Sequence, residues 1–580
     1  MELLDSRRLT GPNLVWDSPG ALLDVAFSEE HRQVVAYWTS EIRLLLAAAG
    51  LPAMGIATKS RKHGAWLVAG GPIDQLYGLI DVSEMAWNLA VAKVLDELGL
   101  VHSDIIRFQP LEGIEPSPDS SPDWDEIANR LTTEANPALI ALQQAALEHR
   151  VSFFWDDDFA SVGMGETSKT WPIRALPSPT DIDWAFFGDV PLAVVTGTNG
   201  KSTNIRLLSY IADCAGFTNG STSTDWIRVG QDVLDTGDYS GPGGARTVLR
   251  DPRVEIAFLE TARGGLLRRG AGVERARVAL ITNVAEDHMG QYGIHSVEDL
   301  VEAKMIVARL VRDGGVLVLN ADDPALVKGT ASLSGQEICW FSLDYLNEKV
   351  VSHVRDGGRA CAVKEGAVTY WGSDGPIQVA AVDHIPITLE GKAAYNVSNC
   401  LSAAAVALEL GIPLAAVQKG LTHFESTPDS NPGRSNYFQV GDIQVLLDYA
   451  HNVHGLTAIL STTALLGAKR RILTLSTAGD RTENEIRQLA AEAARFGVEE
   501  IIVSDCIGYE RELGTGGVPR ILQDELHKHG IQSTATHTEL DATKIAFERA
   551  RPGDILILLV KAERSACVDI IRKEAALRSK

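Results

Sequence analysis

The sequence predicts an α/β protein of three domains: a small N-terminal α/β or α+β domain, a central P-loop ATPase domain with a mostly parallel sheet, and a C-terminal Rossmann-like α/β domain. Three observations carry this. Ala193-Val194-Val195-Thr196 reads as a buried strand that runs into the glycine-rich turn Gly197-Thr198-Asn199-Gly200 and then a helix from about Asn204 to Ala215. Beyond it, apolar runs of strand length (Ile256–Leu259, Val278–Ile281, Val316–Leu319) alternate with helical segments, the mark of a helix-covered parallel sheet. Near Pro428 the alternation restarts, with strands at 445–448, 472–475, 500–503 and 555–560. The boundaries follow as 1–160, a linker over 161–190, 191–427 and 428–580.

Composition narrows the function classes. The 580 residues exceed what one core supports, and Lys plus Arg number 53 against 76 Asp plus Glu, a net charge of −23. That balance argues against a nucleic-acid binder, because little would offset phosphate repulsion. The six cysteines are scattered without a Cys-x-x-Cys pair, which fits a reducing compartment rather than a disulfide or zinc framework. The N-terminus mixes charges of both signs, and no apolar run approaches the ~20 residues a bilayer needs. A cytoplasmic protein with no membrane partner is expected, and a homo-oligomer is compatible with the sequence.

Along residues 1–160, helical periodicity covers Glu30–Ala49, Val82–Leu98 and Ile127–His149, with a strand at Ala65–Ala69 and a loop at Pro116–Asp123. Asp156-Asp157-Asp158 reads as a solvated turn before a metal site. Glycines and prolines between Ser161 and Pro191 read as a linker.

The chemistry gathers at strand ends. In Gly197-Thr198-Asn199-Gly200-Lys201-Ser202-Thr203 the glycines let backbone N–H groups turn toward phosphate. Lys201 supplies a compact cation, and Ser202 or Thr203 a hydroxyl for Mg²⁺. A strict Walker A loop would need glycine where Val195 stands, so this is the shorter form. The helix that follows turns its positive end on the same anion. Glu260 ends a neighbouring strand, where Mg²⁺ bound to a nucleotide takes a carboxylate oxygen. The next two strands lead to Glu286-Asp287-His288 and to Asn320-Ala321-Asp322-Asp323. Asn396 and Asn399 share a helix face, where they serve either a base or ribose or a helix cap. Asp448 closes a strand of the C-terminal domain.

Taken together, these motifs resemble the Mur ligase superfamily of ATP-dependent amide ligases. The runs Gly237-Asp238-Tyr239-Ser240-Gly241-Pro242 and Leu259-Glu260-Thr261-Ala262-Arg263-Gly264-Gly265 are similar to the Mur-type half of cyanophycin synthetase, and Arg7-Arg8-Leu9-Thr10-Gly11-Pro12-Asn13 to its start. The ATP-grasp module that divides those parts in cyanophycin synthetase is missing between Gly165 and Pro191, which implies one ligation rather than an alternating pair. The resemblance implies ATP and Mg²⁺ as cofactors, with Lys201 and Ser202 at the phosphates and first metal and Glu260 holding that metal. His288 would sit at a second metal, and Lys304, carbamylated in many members, would add another ligand. Asn320, Asp323, Asn396, Asn399, Arg434, Asp448 and His451 would serve the nucleotide.

Two departures from the pattern stand out. Val453-His454 replaces the usual proline after Asn452, and Ser504–Arg511 does not reproduce the expected acceptor-binding stretch. The function implied is ligation of an amino-acid amine to an amino-acid or peptide carboxylate, with arginine or another basic amine favoured. The competing readings are a peptidoglycan or folylpolyglutamate type ligase and a catalytically silent ATP-binding regulatory or scaffold protein.

Overall fold

A computed structural model describes residues 1–52, 54–99, 123–333 and 335–578. The loop expected at Pro116–Asp123 therefore lies, apart from Asp123, outside the described residues. None of the described helices is long and apolar enough to cross a membrane.

The N-terminal unit is α+β. Its antiparallel sheet orders the strands Glu2–Leu9, Gly20–Ala26, Gly64–Gly70 and Ile56–Arg61, and helices Val34–Ala48 and Leu76–Leu98 cover one face. Gly64–Gly70 is buried along its whole length, because Leu67 and Ala69 face the helix-side core while Trp66 and Val68 pack against Leu9 and Leu22. A helix expected over 127–149 is broken into Trp124–Glu134 and Pro137–Glu148. Asn136 caps the second piece by accepting from Leu139 N, and Pro137 sits at its first position. The segment expected as a linker contributes the strand Lys169–Pro172 and the end of Phe159–Val162, which with Phe153–Trp155 form a three-stranded antiparallel sheet that packs on helix Pro137–Glu148.

The central sheet has eleven strands, and seven of them are parallel and contiguous. The strand Leu192–Thr196, which runs into the glycine-rich turn, lies between Ile256–Glu260 and Ala276–Ile281, which brings the ends of all three strands to one edge. Its residues alternate between two cores. Ala193 and Val195 meet Ile205, Leu208 and Leu401, whereas Leu192 and Val194 meet Val248, Leu259 and Leu300. Helix Lys201–Ala215, longer than the sequence reading by one turn, is only 15 residues, marginal in isolation; burial of Ile205, Leu207, Leu208 and Ile211 fixes it.

The C-terminal sheet orders Asn436–Val440, Ile443–Asp448, Asp554–Leu559, Arg470–Leu475, Glu500–Ser504 and Ser533–Thr536, parallel except for its first strand. It is docked on the central unit. Asn199 and Asn452 exchange side-chain hydrogen bonds at 3.2 Å each, and Arg564 Nη1 donates to Asp225 Oδ1 at 2.8 Å.

Local capping supports the elements that carry the site. Helix Val297–Met305, which bears Lys304, begins with a capping box in which Ser296 Oγ accepts from Asp299 N and Asp299 returns a bond to Ser296 N. Ser296→Ala is expected to lower stability by about 1 kcal/mol, read as a shift in the denaturant midpoint with an unchanged slope.

Candidate active site

The glycine-rich turn Gly197–Gly200 is held in shape by the end of the neighbouring strand. Thr198 N donates to Asn283 O and Asn199 N to Asn283 Oδ1, both at 2.9 Å, and Thr282 Oγ1 donates to Asn199 O at 2.6 Å. Gly197 and Gly200 have φ of +147° and +88°. A Cβ on the first would overlap Thr282 Oγ1 and on the second Asn399 Oδ1, so both positions need glycine. Lys201 folds back over the loop, its Nζ donating to Gly197 O and Thr198 O at 3.1 Å each. Its ammonium thus lies against the glycine-rich turn, near enough for its charge to act on Glu260.

Asn396 and Asn399 are buried behind this loop. Asn399 Nδ2 donates to Asn396 Oδ1, Asn399 Oδ1 accepts from Asn204 Nδ2, and Ser402 Oγ donates to Asn204 Oδ1. Both asparagines therefore fasten the loop helix to helix Ala394–Glu409. Asp323, assigned to the nucleotide from sequence, uses its oxygens on Val284 N, Ala325 N and Leu326 N, capping the helix that Pro324 opens and fixing the 282–284 turn. Asn320 Nδ2 likewise holds Thr282 O. In this structure these residues shape the site through backbone atoms.

Glu260 is 2 % exposed. Ser202 Oγ donates to its Oε2 at 2.9 Å, and its Oε1 is buried without a partner. Burial raises its pKa, opposed by the positive charge of Lys201 and the bond from Ser202. An orphaned carboxylate oxygen beside a serine hydroxyl and the phosphate loop fits the place of a hard divalent cation.

A second group gathers at the end of the next strand. Ligand atoms of Asp287, His288 and His451 lie within 4.8 Å of one another. Asp287 accepts from Arg481 Nη1 at 2.8 Å and lies 3.5 Å from His451 Nε2. Burial would raise its pKa, but His451 and Arg481 hold it well below the usual carboxylate range. His288 sits at φ +51°, a conformation uncommon outside glycine, and Arg263 Nη1 anchors its carbonyl at 2.8 Å. Burial and the adjacent Arg481 take the His288 pKa down to about 3, so the imidazole is neutral. Its Nε2 accepts from Arg481 Nη2 at 3.0 Å, and its Nδ1 is buried without a partner. The donor set suits a metal, although the Nε2 lone pair faces a guanidinium here. Lys304, 3 % exposed, has no hydrogen bond from its amine among the described residues, and burial with the charge of Lys201 lowers its pKa to about 7.

The C-terminal unit closes the site. Asp448 is buried and accepts from Ser435 N and Ala450 N at 2.7 Å. Arg434 lies over the Tyr449 ring, 4.3 Å from its centroid, with Nη1 buried and unpartnered. Asp225 gathers Arg206 and Arg564 beside it. Val453-His454 does not disturb the helix start, since Asn452 caps Val453–Ala464 by accepting from Gly455 N, and His454 Nδ1 lies 3.0 Å from Asn199 Nδ2. A cavity of about 820 Å³ opens between the two units beside Asp287, His451 and Arg481, with Glu286, Glu485 and Glu492 on its walls. Of the stretch 504–511, Ser504 to Cys506 are buried and Asp505 takes Gly516 N at 2.7 Å. In the expected solvated turn Asp157 and Asp158 are exposed, and Asp156 and Asp157 also pair with Arg250 and Arg8.

Sequence reasoning missed Asp287, Arg263 and Arg481 as site residues. The polar end of the strand Arg470–Leu475, followed by Gly479-Asp480-Arg481, was the available signal for the last.

Residues 195–407 match the Mur ligase middle domain, and residues 433–561 match the Mur ligase, glutamate ligase domain. The chain belongs to the Mur ligase family. Cyanophycin synthetase of Geminocystis herdmanii (strain PCC 6308) is 35% identical over 326 residues, 56% of this chain and 37% of that protein. Cyanophycin synthetase of Nostoc sp. (strain PCC 7120 / SAG 25.82 / UTEX 2576) is 35% identical over 344 residues, 59% of this chain and 37% of that protein. The chain thus spans well under half the length of these relatives. Among solved structures, a bifunctional folylpolyglutamate synthase/dihydrofolate synthase with Mn, AMPPNP and L-glutamate bound is similar at a TM-score of 0.49 and 19% identity, over 66% of this chain and 89% of that one.

The state of Lys304 gives a pH signature. Its folded pKa of about 7 lies below the ordinary 10.5, so between those values the unfolded chain binds one more proton and Lys304 makes stability rise with pH. Denaturant unfolding from pH 7 to 9.5 is expected to show Lys304→Met more stable than the wild type at pH 7, with the gap closing as pH rises.

Proposed function

We propose that the chain is an ATP-dependent amide ligase, which activates a carboxylate as an acyl phosphate and joins it to an amino-acid amine with release of ADP and phosphate. The observation that carries this reading is the meeting, at one strand edge, of a phosphate loop, a buried carboxylate with a free oxygen, and cationic groups delivered by a second domain. A nucleotide switch would need the first two alone. The third belongs to a site where charge on a transferring phosphoryl group must be neutralised while water is kept out.

Lys201 exchanges its two carbonyl partners for phosphate oxygens, and the loop N–H groups shaped by Thr282 and Asn283 bind the same anion. Arg434, with a buried donor already unpaired, adds a second positive contact from across the seam. Ser202 and Glu260 would hold Mg²⁺ there, and Asp287, His288, His451 and a carbamylated Lys304 would hold a second ion. Bound metal supplies Lewis-acid neutralisation of phosphate and acyl oxygens. Arg263 orients the His288 turn beside the reacting carboxylate, and docking of Asn452 on Asn199 excludes water from the activated acyl group.

The amine enters from the cavity beside Asp287. Glu286, Asp287, Glu485 and Glu492 outnumber Arg481 and Arg495 on its walls, which supports a basic amine such as arginine or lysine. One phosphate loop among the described residues supports a single ligation, with the amine added to an amino-acid or peptide carboxylate.

Phosphate release is expected only when ATP, Mg²⁺, one carboxylate acceptor and one amine are present together, across a grid that includes arginine, lysine and aspartyl peptides. Lys201→Ala should lower the rate by about 10²–10³-fold, as for the loss of one preorganised transition-state donor. Nucleotide binding without amine-dependent turnover on any pair would favour the silent regulatory reading instead.

A further inference from the structure

The N-terminal sheet turns one face to its own helices and the other to the central unit. Strand register builds that second face in rows. Arg7, Leu22, Val68 and Ala57 are cross-strand partners in one row and Asp5, Asp24, Trp66 and Lys59 in the next, with Arg61 two residues beyond Lys59 and so on the same side.

The parts of the central unit that this face and its flanking loop meet are those that carry the Asp287–His288–His451 cluster and Lys304. Thr10 N donates to Arg269 O and Ala271 N to Pro12 O, both at 2.7 Å, at the far end of the helix that starts at Arg263. Lys59 pairs with Glu302, two residues before Lys304 on helix Val297–Met305. Between these contacts lies the turn that follows His288. Arg7 stands over the Tyr292 ring, 5.6 Å from its centroid. Gly293 runs so close to Arg61 and Trp66 that a Cβ there would overlap the guanidinium and meet the indole at 3.0 Å.

This turn needs outside support. His288, Gly290, Tyr292 and Gly293 have φ of +51°, +87°, +52° and +71°, and two of the four carry bulky side chains. Such a backbone persists only where its surroundings over-determine it. From the central unit, Gly290 N donates to Ile294 O at 2.7 Å, and Arg263 holds His288 O and Gln291 Oε1 at 2.8 and 3.1 Å. The N-terminal face supplies the restraint on Tyr292 and Gly293, and its own groups are locked. Arg61 pairs with Asp24 and lies on the Trp66 ring, Trp66 Nε1 donates to Asp24 Oδ2 at 3.0 Å, and Arg7 Nη1 donates to Asp5 Oδ2 at 2.6 Å.

We propose that the N-terminal sheet is a positioning frame for this cluster: Arg7, Arg61 and Trp66 hold the 290–293 turn and so set the His288 imidazole against Asp287 and Arg481. They are positioning residues, because they act through the turn. The chemical role of the cluster rests on the ligase reading, but the frame needs no turnover, so its test uses the full chain without nucleotide or amine and fails separately from that reading.

Hydrogen–deuterium exchange over 286–294 and carbethoxylation of His288 by diethyl pyrocarbonate, both read by mass spectrometry, follow the turn directly. Tyr292→Leu is expected to speed exchange there about tenfold through loss of the cation–π contact, and to make His288 react faster. Tyr292→Phe, which keeps the ring, should match the wild type in both. Arg7→Met should act as Tyr292→Leu does, and the two changes together should do no more than either alone, because they remove one shared contact. Exchange over the glycine-rich turn 197–201 should be unchanged in each. If Arg7→Met loosens the sheet itself, seen as faster exchange over 64–70, the two Tyr292 variants alone decide. His288 reactivity that stays at the wild-type level in Tyr292→Leu, or rises equally in Tyr292→Phe, overturns the frame.

Discussion

The site depends on a carboxylate that the fold has taken out of water. Glu260 ends a strand buried on both faces, is 2 % exposed, and keeps one oxygen without a partner. A charge so placed is tolerated only with cations and donors around it, and Lys201, Ser202, Arg206 and Arg434 supply them. These come from the phosphate-loop helix and from the far side of the domain seam. Much of the surrounding architecture can be understood as what holds those groups near one oxygen. The Thr282 and Asn283 bonds fix the loop, the Asn204–Asn399–Asn396 chain fixes its helix, and Asp323 fixes the turn that carries Thr282 and Asn283.

The second cluster shows how the two units share one environment. Asp287 and His288 belong to the central sheet, while Arg481 and His451 come from the C-terminal one, and each group sets the state of the others. With Arg481 donating to Nε2, His288 is neutral and its lone pair is occupied. A metal binding at that nitrogen must displace the arginine, so ion binding and the position of the 481 loop are coupled. The same seam carries the Asn199–Asn452 exchange, which ties the phosphate loop to the first turn of a C-terminal helix. Movement of either unit therefore reaches the glycine-rich turn directly.

What was legible in the sequence was local. The strand, the glycine turn and Lys201 are contiguous, and the strand end at Glu260 announces itself by one acidic residue after an apolar run. At Asp323 the Asp-Pro pair marked a helix cap, which its bonds to Ala325 N and Leu326 N form, beside the Asn-x-Asp-Asp match that assigned it to the nucleotide. Asn136-Pro137 likewise marked a helix break inside a continuous apolar periodicity. Asp287, Arg481 and the Asn199–Asn452 pair were not legible, since their partners lie some 200 residues away and meet only when two sheets dock. The antiparallel order of the N-terminal strands and the strands within 153–172 were hidden for a related reason: short pieces without a clear period acquire their structure from the surfaces they cover.

The most direct measurement is calorimetric titration of ATP into wild type and Glu260→Gln, each with Mg²⁺ and with a chelator. If the buried Glu260 oxygen is the group that completes a nucleotide-bound cation, Mg²⁺ will strengthen ATP binding in the wild type and this gain will vanish in the variant, while binding in chelator stays alike in both. A Mg²⁺ effect of equal size in the two proteins would contradict the account, because the carboxylate around which the site is built would then have no part in holding the metal.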